Sequence, residues 1–336
     1  MTVIRDDYSR YKSPDNLHLP PSFKNSIHFG LTMDLIHKLL NFVLPIVTIV
    51  LLVLLYPLVL LFRFFNYLIR FAFPEKLARK VALITGASSG IGEYLAYEYA
   101  KSGARLALVA RRKEQLEAVA GRARELGSPD VIVISADVSK VDDCKRFVDE
   151  TIHHFGTLNH LVNNAGVCYI EDQRSSSDYL SLMDVNFWGS VNTTQFALPH
   201  LHNSKGKIVV VSSCAGWFAM PKLGIYCASK AALIRYFETL RVEVGSDIGI
   251  TIVTPGVVES SITNEEWLSK TNLDWAPMMS TEGCAKGILN GTRRGDEYLT
   301  EPQWMGVFFM LKALCPEMFK WITHFLFITC SKSKQT

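Results

Sequence analysis

A serine, a tyrosine and a lysine at fixed spacing could move a proton to or from an alcohol oxygen. Tyr226 stands four residues before Lys230, and Ser213 stands thirteen residues before the tyrosine. The ammonium group of Lys230, together with a positively charged oxidised nicotinamide, would favour the phenolate and lower the pKa of Tyr226. Ser213 could hydrogen-bond the reacting oxygen where charge develops. These residues therefore suit general acid–base catalysis on an alcohol or a ketone.

The surroundings of this group are more specific than its spacing. A tyrosine four residues before a lysine occurs three times in the sequence, at Tyr8, Tyr97 and Tyr226. Only the third follows an apolar β-branched run, 207–212, which predicts a buried parallel strand with Ser213 at its carboxyl end. The predicted helix Tyr226–Val244 then places Tyr226 and Lys230 on one face. Strand end and helix start are therefore expected to converge.

The run Thr85-Gly-Ala-Ser-Ser-Gly-Ile-Gly92 predicts a dinucleotide-binding turn. It follows the apolar strand 81–84 and leads into a helix, Ile91–Lys101, whose free amides can bind a pyrophosphate. Gly86 can make the turn, while Gly90 and Gly92 allow close approach of the ligand and tight packing. The predicted cofactor contacts in this run are Gly86, Ser88, Ser89, Gly90, Ile91 and Gly92.

Two arginines at the end of the second predicted strand indicate which dinucleotide binds. An NAD site would carry a carboxylate near this position, to accept a hydrogen bond from the ribose 2′-hydroxyl. Here the chain reads Ala110-Arg111-Arg112. Guanidinium groups pair with a 2′-phosphate, which a carboxylate would repel. Arg111 and Arg112 therefore predict NADP(H).

Strands and helices alternate from Lys80 onward. The predicted strands lie near residues 80–85, 105–110, 131–135, 159–163, 207–212, 248–253 and 296–300. This alternation predicts an α/β fold with a doubly wound, Rossmann-type, seven-stranded parallel sheet in a single catalytic domain. Ligands of such sheets bind beyond the carboxyl ends of the strands, where the motifs described above fall.

The amino-terminal part of the chain predicts a membrane anchor. No charged residue occurs between Leu39 and Phe62, and a helix of that length would reach about 36 Å, enough to cross the hydrocarbon core. Pro45 and Pro57 leave two geometries open, a kinked spanning helix or a hairpin. Basic residues are denser after the run than before it, which favours a cytosolic catalytic domain. The predicted division is a flexible extension over 1–34, the anchor over 35–74, the catalytic domain over 75–302, and an amphipathic carboxyl-terminal segment with a tail over 303–336.

Other features limit the partners and ligands. The net charge of +3 and the lack of a basic run argue against nucleic acid. The seven cysteines show no metal-ligand or disulfide spacing, so no metal is predicted. The segment Val257–Ser280, with Trp267 and Trp275, suits a mobile cover over a large apolar substrate. The stretch Trp304–Phe327 predicts an interfacial or subunit-contact helix, or a helix packed on the catalytic domain, and the tail with Lys332 and Lys334 resembles a dilysine retrieval signal of the endoplasmic reticulum.

With these motifs the chain resembles the short-chain dehydrogenase/reductase family, and more closely the plant steroleosins, the 11β-hydroxysteroid dehydrogenase-like proteins of oil bodies. The resemblance spans roughly residues 78–300, and it implies homodimers. It also implies a fourth catalytic residue, Asn186, which would hold a water that relays protons. Further implied cofactor contacts are Asp137, Val138, Asn164, Ala165, Pro255 and Gly256. One departure is Ser260, which stands where many members have a threonine.

Three functions remain open at this point. The first is an NADP(H)-dependent hydroxysteroid, sterol or triterpenoid dehydrogenase at the surface of the endoplasmic reticulum or a lipid droplet. The second is a 3-ketoreductase of acyl or sphingoid lipids, which would use the same catalytic residues in a different pocket. The third is a lipid-droplet structural protein with a vestigial catalytic domain, an alternative that the intact motifs disfavour and that failure to bind NADPH would favour.

Overall fold

The structure is a computed structural model that describes residues 21–170, 175–260, 262–271, 273 and 276–329, with side chains from residue 32 to residue 327. The hypotheses about residues 1–20, Trp275 and the dilysine tail fall outside this part. The described part of the chain divides into two compact units, one that ends at Ile69 and one that begins at Arg70.

The first unit is dominated by one long helix, α1, over Pro21–Ala72. The helix continues through Pro45 and Pro57, and it begins inside the stretch that the sequence assigns to a flexible extension. A proline suits a first helical position because its fixed φ is already helical and its missing amide has no partner there. In the described part of the chain, Thr32–Ala72 is the one helix long and apolar enough to cross a membrane, with a mean hydropathy of 2.9.

The second unit contains the predicted seven-stranded sheet. All neighbouring strands are parallel, in the order β3-β2-β1-β4-β5-β6-β7. The strands are β1 Val81–Thr85, β2 Arg105–Ala110, β3 Val131–Ser135, β4 His160–Asn163, β5 Lys207–Val211, β6 Gly249–Pro255 and β7 Tyr298–Glu301. The Rossmann-type fold expected from the sequence is therefore confirmed.

Helices cover both faces of this sheet, which explains why its strands are apolar at successive positions. Ala82 and Ile84 of β1 pack into one core, and Val81 and Leu83 pack into the other. The helices are α2 Gly90–Lys101, α3 Lys113–Glu125, α4 Val141–Phe155, α5 Ser176–Met183, α6 Gly189–Ser204, α7 Gly224–Val244, α8 Glu265–Thr271, α9 Thr281–Arg294, α10 Gly306–Leu314 and α11 Pro316–His324.

A partly buried polar network fixes the start of the second unit. The backbone of Glu75 exchanges hydrogen bonds with Arg293, since Glu75 N donates to the Arg293 carbonyl at 3.0 Å and Arg293 Nε donates to the Glu75 carbonyl at 2.9 Å. The Glu75 carboxylate lies 2.7 Å from Lys207 Nζ and 3.3 Å from His160 Nε2. His160 Nδ1 lies 2.9 Å from the Tyr99 hydroxyl. These contacts join the segment after α1 to α2, α9 and the amino ends of β4 and β5.

The carboxyl-terminal helices α10 and α11 pack one face on the second unit. Phe218, in the loop after β5, forms an edge contact with Phe319 of α11 at a centroid distance of 5.0 Å. Trp217 forms a similar contact with Phe309 of α10 at 5.6 Å. Phe319 and Phe327 are buried in this aromatic cluster, whereas Leu314 and Trp321 are exposed.

Candidate active site

A cleft of about 590 Å³ opens at the carboxyl ends of the strands. Each of the first six strands leads directly into a predicted site residue or ends within two residues of one. All of the predicted site residues line the cleft except Gly92 and Asn186, which pack behind it. The lining residues from the prediction are Gly86, Ser88, Ser89, Gly90, Ile91, Arg111, Arg112, Asp137, Val138, Asn164, Ala165, Ser213, Tyr226, Lys230, Pro255 and Gly256.

The glycine turn needs glycine for two separate reasons. Gly86 has φ = 67°, and a β-carbon there would lie 2.8 Å from the Ala165 Cα atom. A β-carbon on Gly92 would collide with the Gly86 carbonyl and the Asn164 side-chain amide. Gly90 has φ = 59° and forms the start of α2. The turn therefore packs tightly on β4 while α2 directs its first amides at the cleft, as a pyrophosphate site requires.

Thr85 supports this turn, a role that its place in the sequence did not predict. Its hydroxyl accepts hydrogen bonds from Asn164 N at 3.1 Å and Ala165 N at 3.2 Å, and donates to the Val162 carbonyl at 3.2 Å. The Asn164 amide in turn donates to the Thr85 carbonyl at 2.9 Å. A hydroxyl at the end of an otherwise apolar strand was the one signal in the sequence. The role of this hydroxyl becomes clear only from the pairing of β1 with β4.

Arg112 reaches across the glycine turn. Its Nη2 atom donates to Ser89 Oγ at 2.7 Å and to Ser88 Oγ at 3.1 Å. Arg111 lies beside it, and both arginines are exposed at the cleft. Two guanidinium groups and two hydroxyls thus meet at the end of β2, where an adenosine ribose would lie. This donor set fits a phosphate group.

Asp137 and Val138 follow β3 on the same side of the cleft. The Asp137 carboxylate accepts hydrogen bonds from Ser139 N at 3.0 Å and Ser139 Oγ at 2.8 Å, so it stabilises its own turn. Val138 is buried against α6, where a β-carbon on Gly189 would lie 2.9 Å from Val138 Cγ2. The close approach of α6 holds this turn at the cleft wall.

Ser213 extends the end of β5 into the cleft. Its backbone is extended, and its Oγ accepts a hydrogen bond from Ala215 N at 3.1 Å. The hydroxyl lies 3.5 Å from the Pro255 carbonyl at the end of β6. Ser213 also hydrogen-bonds the Tyr226 side chain, an interaction that favours the phenolate.

Tyr226 and Lys230 lie one turn apart on α7, as the spacing predicts. Lys230 is buried, and its Nζ donates to the Val211 carbonyl at 3.1 Å and lies 5.8 Å from the centre of the Tyr226 ring. Burial lowers the pKa of Lys230 to about 8, and burial raises the pKa of Tyr226 above its ordinary value. Burial outweighs the hydrogen bond from Ser213, and the Lys230 ammonium is directed at a carbonyl, so the protein's own groups leave the pKa of Tyr226 raised. The lowering by Lys230 that the sequence predicts is not seen, and the part assigned to a positive nicotinamide stays a prediction.

Asn186 occupies a π-helical turn, Asp184–Trp188, between α5 and α6. It is fully buried, and its amide donates to the Val167 carbonyl at 2.9 Å and to Ser229 Oγ at 3.1 Å. Its side-chain oxygen accepts from Val167 N at 2.8 Å. Asn186 thus fixes the segment after β4 to α7, directly behind Lys230. The proton-relay role that the resemblance implies stays a prediction.

The turn after β6 completes the cleft. Gly256 N donates to the Glu301 carbonyl at 2.7 Å, and a side chain at Gly256 would collide with Met305. Ser260 faces the glycine turn, with its Cβ 3.7 Å from where a β-carbon of Gly90 would stand. Its backbone amide donates to Thr263 Oγ1 at 3.0 Å. Ser260 therefore lies at the cleft beside the glycine turn, and its replacement of the family's threonine stays a prediction.

We call the part of the cleft that α8 lines the substrate end. Trp267 of α8 lines it and also packs against the aromatic cluster of Trp217 and Phe218. Two charged residues of α8, Glu266 and Lys270, line the cleft beside Trp267. An extended dinucleotide fits the part around the glycine turn, and an apolar molecule fits the part beside Trp267.

Comparison with known proteins places this geometry in a family. A model of the short chain dehydrogenases matches residues 80–271. The chain is 50% identical over 303 residues to 11-beta-hydroxysteroid dehydrogenase-like 2 of Arabidopsis thaliana, across 89% of this chain and 98% of that protein. It is 50% identical over 312 residues to 11-beta-hydroxysteroid dehydrogenase A of Arachis hypogaea, across 88% and 89% of the two chains.

A solved structure gives the same result at a greater distance. The alcohol dehydrogenase of the archaeon Thermococcus sibiricus, complexed with 5-hydroxy-NADP, matches with a TM-score of 0.60 and 28% identity, over 66% of this chain and 95% of that one. This protein therefore belongs to the short-chain dehydrogenase family, as the resemblance indicated. It is therefore an oxidoreductase that acts on CH–OH groups with a nicotinamide cofactor.

Proposed function

We propose that this protein is an NADP(H)-dependent dehydrogenase of hydroxysteroids, sterols or triterpenoids, which interconverts a secondary alcohol and a ketone at a membrane or lipid-droplet surface. The observation that carries the proposal is the single cleft shared by Ser213, Tyr226, Lys230 and the glycine turn. A proton-transferring tyrosine beside a dinucleotide site is what alcohol oxidation requires.

The residues of the cleft fit a dinucleotide phosphate. The glycine turn and the start of α2 would hold the pyrophosphate, Arg111 and Arg112 the 2′-phosphate, and Lys230 the nicotinamide ribose. When bound, the nicotinamide accepts or donates the hydride. Tyr226 removes the alcohol proton or returns it to the ketone, and Ser213 positions the reacting oxygen by a hydrogen bond. The NADP complex of the Thermococcus relative agrees with the preference for a phosphate that the arginines indicate.

Apolar side chains at the substrate end support a large apolar substrate. Trp267 lines this end, and the cluster behind it contains Trp217, Phe218 and Phe319. The relatives at about half identity carry hydroxysteroid dehydrogenase names. A fused-ring sterol or triterpenoid offers a rigid apolar surface that such a pocket can bury.

The long apolar helix supports a location at a lipid surface. The described part of α1 between Thr32 and Ala72 exposes its apolar side chains, and none of it is buried in the protein. Such a surface is unstable in water. Attachment to the endoplasmic reticulum or a lipid droplet with the catalytic unit in the cytosol accounts for it. The protein should then remain in the membrane fraction after an alkaline carbonate wash, and release into the supernatant would contradict this placement.

The activity can be tested directly. Detergent-solubilised protein is incubated with NADP⁺ or NADPH and a panel of sterols, steroids, triterpenoids and 3-ketolipids, while the absorbance of the reduced cofactor is followed. Turnover of a sterol, steroid or triterpenoid with NADP(H), absent in the Tyr226→Phe variant, is the expected result. Turnover of 3-ketolipids alone would instead identify a lipid ketoreductase. Binding of neither cofactor would exclude both enzymes.

A further inference from the structure

Trp267 carries a hydrogen-bond donor at the substrate end of the cleft that the protein leaves unused. Its indole Nε1 atom is shielded from solvent and makes no hydrogen bond of normal geometry within the part of the chain that the structure describes. Lys270 lines the same end, but its ammonium group donates to Glu266. Buried donors in proteins are almost always paired, so an unpaired one that lines a cleft indicates a partner on a bound molecule.

Local contacts fix the position of Trp267. The side-chain oxygen of Asn264 accepts a hydrogen bond from Trp267 N at 2.8 Å, as a capping asparagine does at the start of a helix. The Thr271 hydroxyl donates to the Trp267 carbonyl at 2.7 Å. The indole ring packs against the aromatic cluster that contains Trp217 and Phe218. Turning the N–H towards another partner would therefore give up this packing.

The group that faces the indole is the thiol of Cys168, on the segment after β4. The thiol interacts with the Trp267 side chain, but sulfur is a weak acceptor. Burial raises the pKa of Cys168 to about 12, so the thiol keeps its proton at neutral pH and carries no charge. An oxygen atom of a bound molecule would therefore be a stronger partner for the indole N–H than this thiol.

The unused donor lies close to the reacting groups. The Cys168 side chain interacts electrostatically with Tyr226 and with Lys230, and all three residues line the cleft. One side chain therefore separates the indole of Trp267 from the hydroxyl that exchanges the proton. A ligand atom that meets the indole N–H belongs to the same part of the substrate as the reacting carbon.

We propose that Trp267 is a specificity-determining residue whose indole N–H donates a hydrogen bond to a second oxygen of the substrate. The substrate class is then an apolar molecule with two oxygens in the same part of its skeleton. One is the alcohol or ketone oxygen that reacts beside Tyr226, and the other is a carbonyl or hydroxyl oxygen that accepts from Trp267. A molecule with the reacting oxygen alone would leave the N–H unpaired and would be selected against.

A purely structural role for Trp267 is the competing explanation. In that case the ring would only fill the space between α8 and the aromatic cluster, and its loss would weaken all substrates to the same extent. A hydrogen bond to the substrate instead weakens only those substrates that carry the second oxygen. Matched pairs of substrates therefore separate the two roles.

The first measurement compares such pairs. Detergent-solubilised full-length protein with NADP⁺ is given two hydroxysteroids that share the reacting alcohol, one with a ketone at another ring position and one with a methylene there. Several pairs place the ketone at different positions. For at least one pair the wild type should favour the ketone-bearing steroid by about fivefold to a hundredfold in kcat/KM, and Trp267→Phe should bring that ratio to within about twofold of unity.

Trp321→Phe is the matched control, because Trp321 is 65% exposed and does not line the cleft. It should keep the wild-type ratio for every pair. A wild type that favours the ketone in no pair, or a Trp267→Phe variant that keeps the wild-type ratio, would overturn the proposal.

The second measurement reads the hydrogen bond itself and needs no turnover. Tyr226→Phe protein is isotope-labelled at its indole nitrogens and saturated with NADP⁺, and the magnetic resonance signal of Trp267 is identified by its absence from the Tyr226→Phe/Trp267→Phe protein. We expect the Trp267 indole proton to shift downfield when the ketone-bearing steroid binds, and not when its methylene partner binds. An equal response to both steroids would contradict the proposal.

This inference deepens the proposed function and rests on it for the ring system of the substrate, yet the two can fail separately. If steroids are turned over without regard to a second oxygen, the proposed function stands and the role of Trp267 fails. If no steroid, sterol or triterpenoid is bound or turned over, the proposed function fails. The indole signal is then recorded with a 3-ketoacyl ester, which also carries a second carbonyl near its ketone. A downfield shift supports the role of Trp267, and no shift overturns it.

Discussion

Arg112 donates a hydrogen bond to Ser89 across the glycine turn, with Nη2 and Oγ 2.7 Å apart. The two residues stand in different βα units, and their contact closes the adenosine end of the cleft. The contact holds the Arg112 guanidinium beside the first backbone amides of α2. The guanidinium and the amino end of the helix, which are both positive, then face the same point. The preference for NADP(H) is proposed to depend on this arrangement.

Replacement of Arg112 by Ala should therefore lower kcat/KM for NADPH by about tenfold to a hundredfold, because it removes charge-assisted hydrogen bonds to the 2′-phosphate. The kcat/KM for NADH should change little. Arg122→Ala on α3 is a matched control, since Arg122 pairs with Glu125 on the exposed surface. An equal loss of kcat/KM with NADPH and NADH would show that Arg112 stabilises the turn but does not bind the 2′-phosphate.

Gly92→Ala should weaken cofactor binding and lower the free energy of unfolding by about 1–3 kcal/mol, since the methyl group overlaps the Gly86 carbonyl and must displace the turn. Gly121→Ala on α3 meets no atom within 4 Å and should stabilise the protein by up to about 1 kcal/mol. Chemical denaturation and cofactor titration measure both effects. Two variants with the same stability would contradict the close contact.

Thr85→Val tests the residue that sequence reasoning missed. The change keeps the shape but removes the hydroxyl that serves Asn164 N, Ala165 N and the Val162 carbonyl. Leaving buried groups unpaired costs about 1–3 kcal/mol each, so the melting temperature and the cofactor affinity should both fall. Thr239→Val removes an exposed hydroxyl bonded to the Arg235 carbonyl within α7, and it should have little effect.

Tyr226→Phe should abolish turnover and leave the cofactor dissociation constant nearly unchanged. The phenyl ring keeps its packing, whereas the proton donor and acceptor is lost, a contribution typically worth about a hundredfold to ten-thousandfold. Cofactor fluorescence and steady-state rates separate the two effects. Near-wild-type rates in the variant would remove Tyr226 from the mechanism.

Glu75 should make the free energy of unfolding depend on pH in the acid range. Burial raises the pKa of Glu75, but hydrogen bonds and charges from His160 and Lys207 outweigh it and lower the value to about 2. A carboxyl with a depressed pKa stabilises the fold above its unfolded pKa and loses that contribution as pH falls towards the folded value. Wild-type stability should therefore fall between about pH 4.5 and pH 2.

The variant Glu75→Gln isolates this contribution. It should be less stable than wild type at pH 7, and the difference should shrink as the pH falls through that window. Thermal denaturation of both proteins at several pH values measures it. A constant difference at all pH values would show that the carboxylate charge does not stabilise the fold.

The strands and the glycine turn could be predicted because their signals are local. Buried parallel strands are apolar at successive positions, and the glycines from Gly86 to Gly92 lie where one such strand leads into a helix. The roles of Thr85 and Glu75 could not be predicted in this way. Thr85 acts through the pairing of β1 with β4, and Glu75 acts through Lys207 and Arg293, far along the chain.

The ends of the helices and the pKa of Tyr226 also could not be predicted from the sequence. The helix that carries Tyr226 begins two residues earlier than predicted, at Gly224, and α1 begins at Pro21. The spacing of Tyr226 and Lys230 predicted that both lie on one face of the helix. It did not predict the direction of the Lys230 ammonium group, which donates to the Val211 carbonyl. The pKa of a buried tyrosine follows such details, and residue types alone do not fix it.

The π-helical turn at Asn186 makes the site sensitive to the length of the chain as well as to its side chains. A π turn holds one more residue than an α turn. Deleting a single residue between Asp184 and Trp188 would let the segment relax into regular α-helix, and it would change the direction in which Asn186 projects, because the wide turn would be lost. The amide of Asn186 would then leave Val167 and Ser229, although every named catalytic residue would still be encoded.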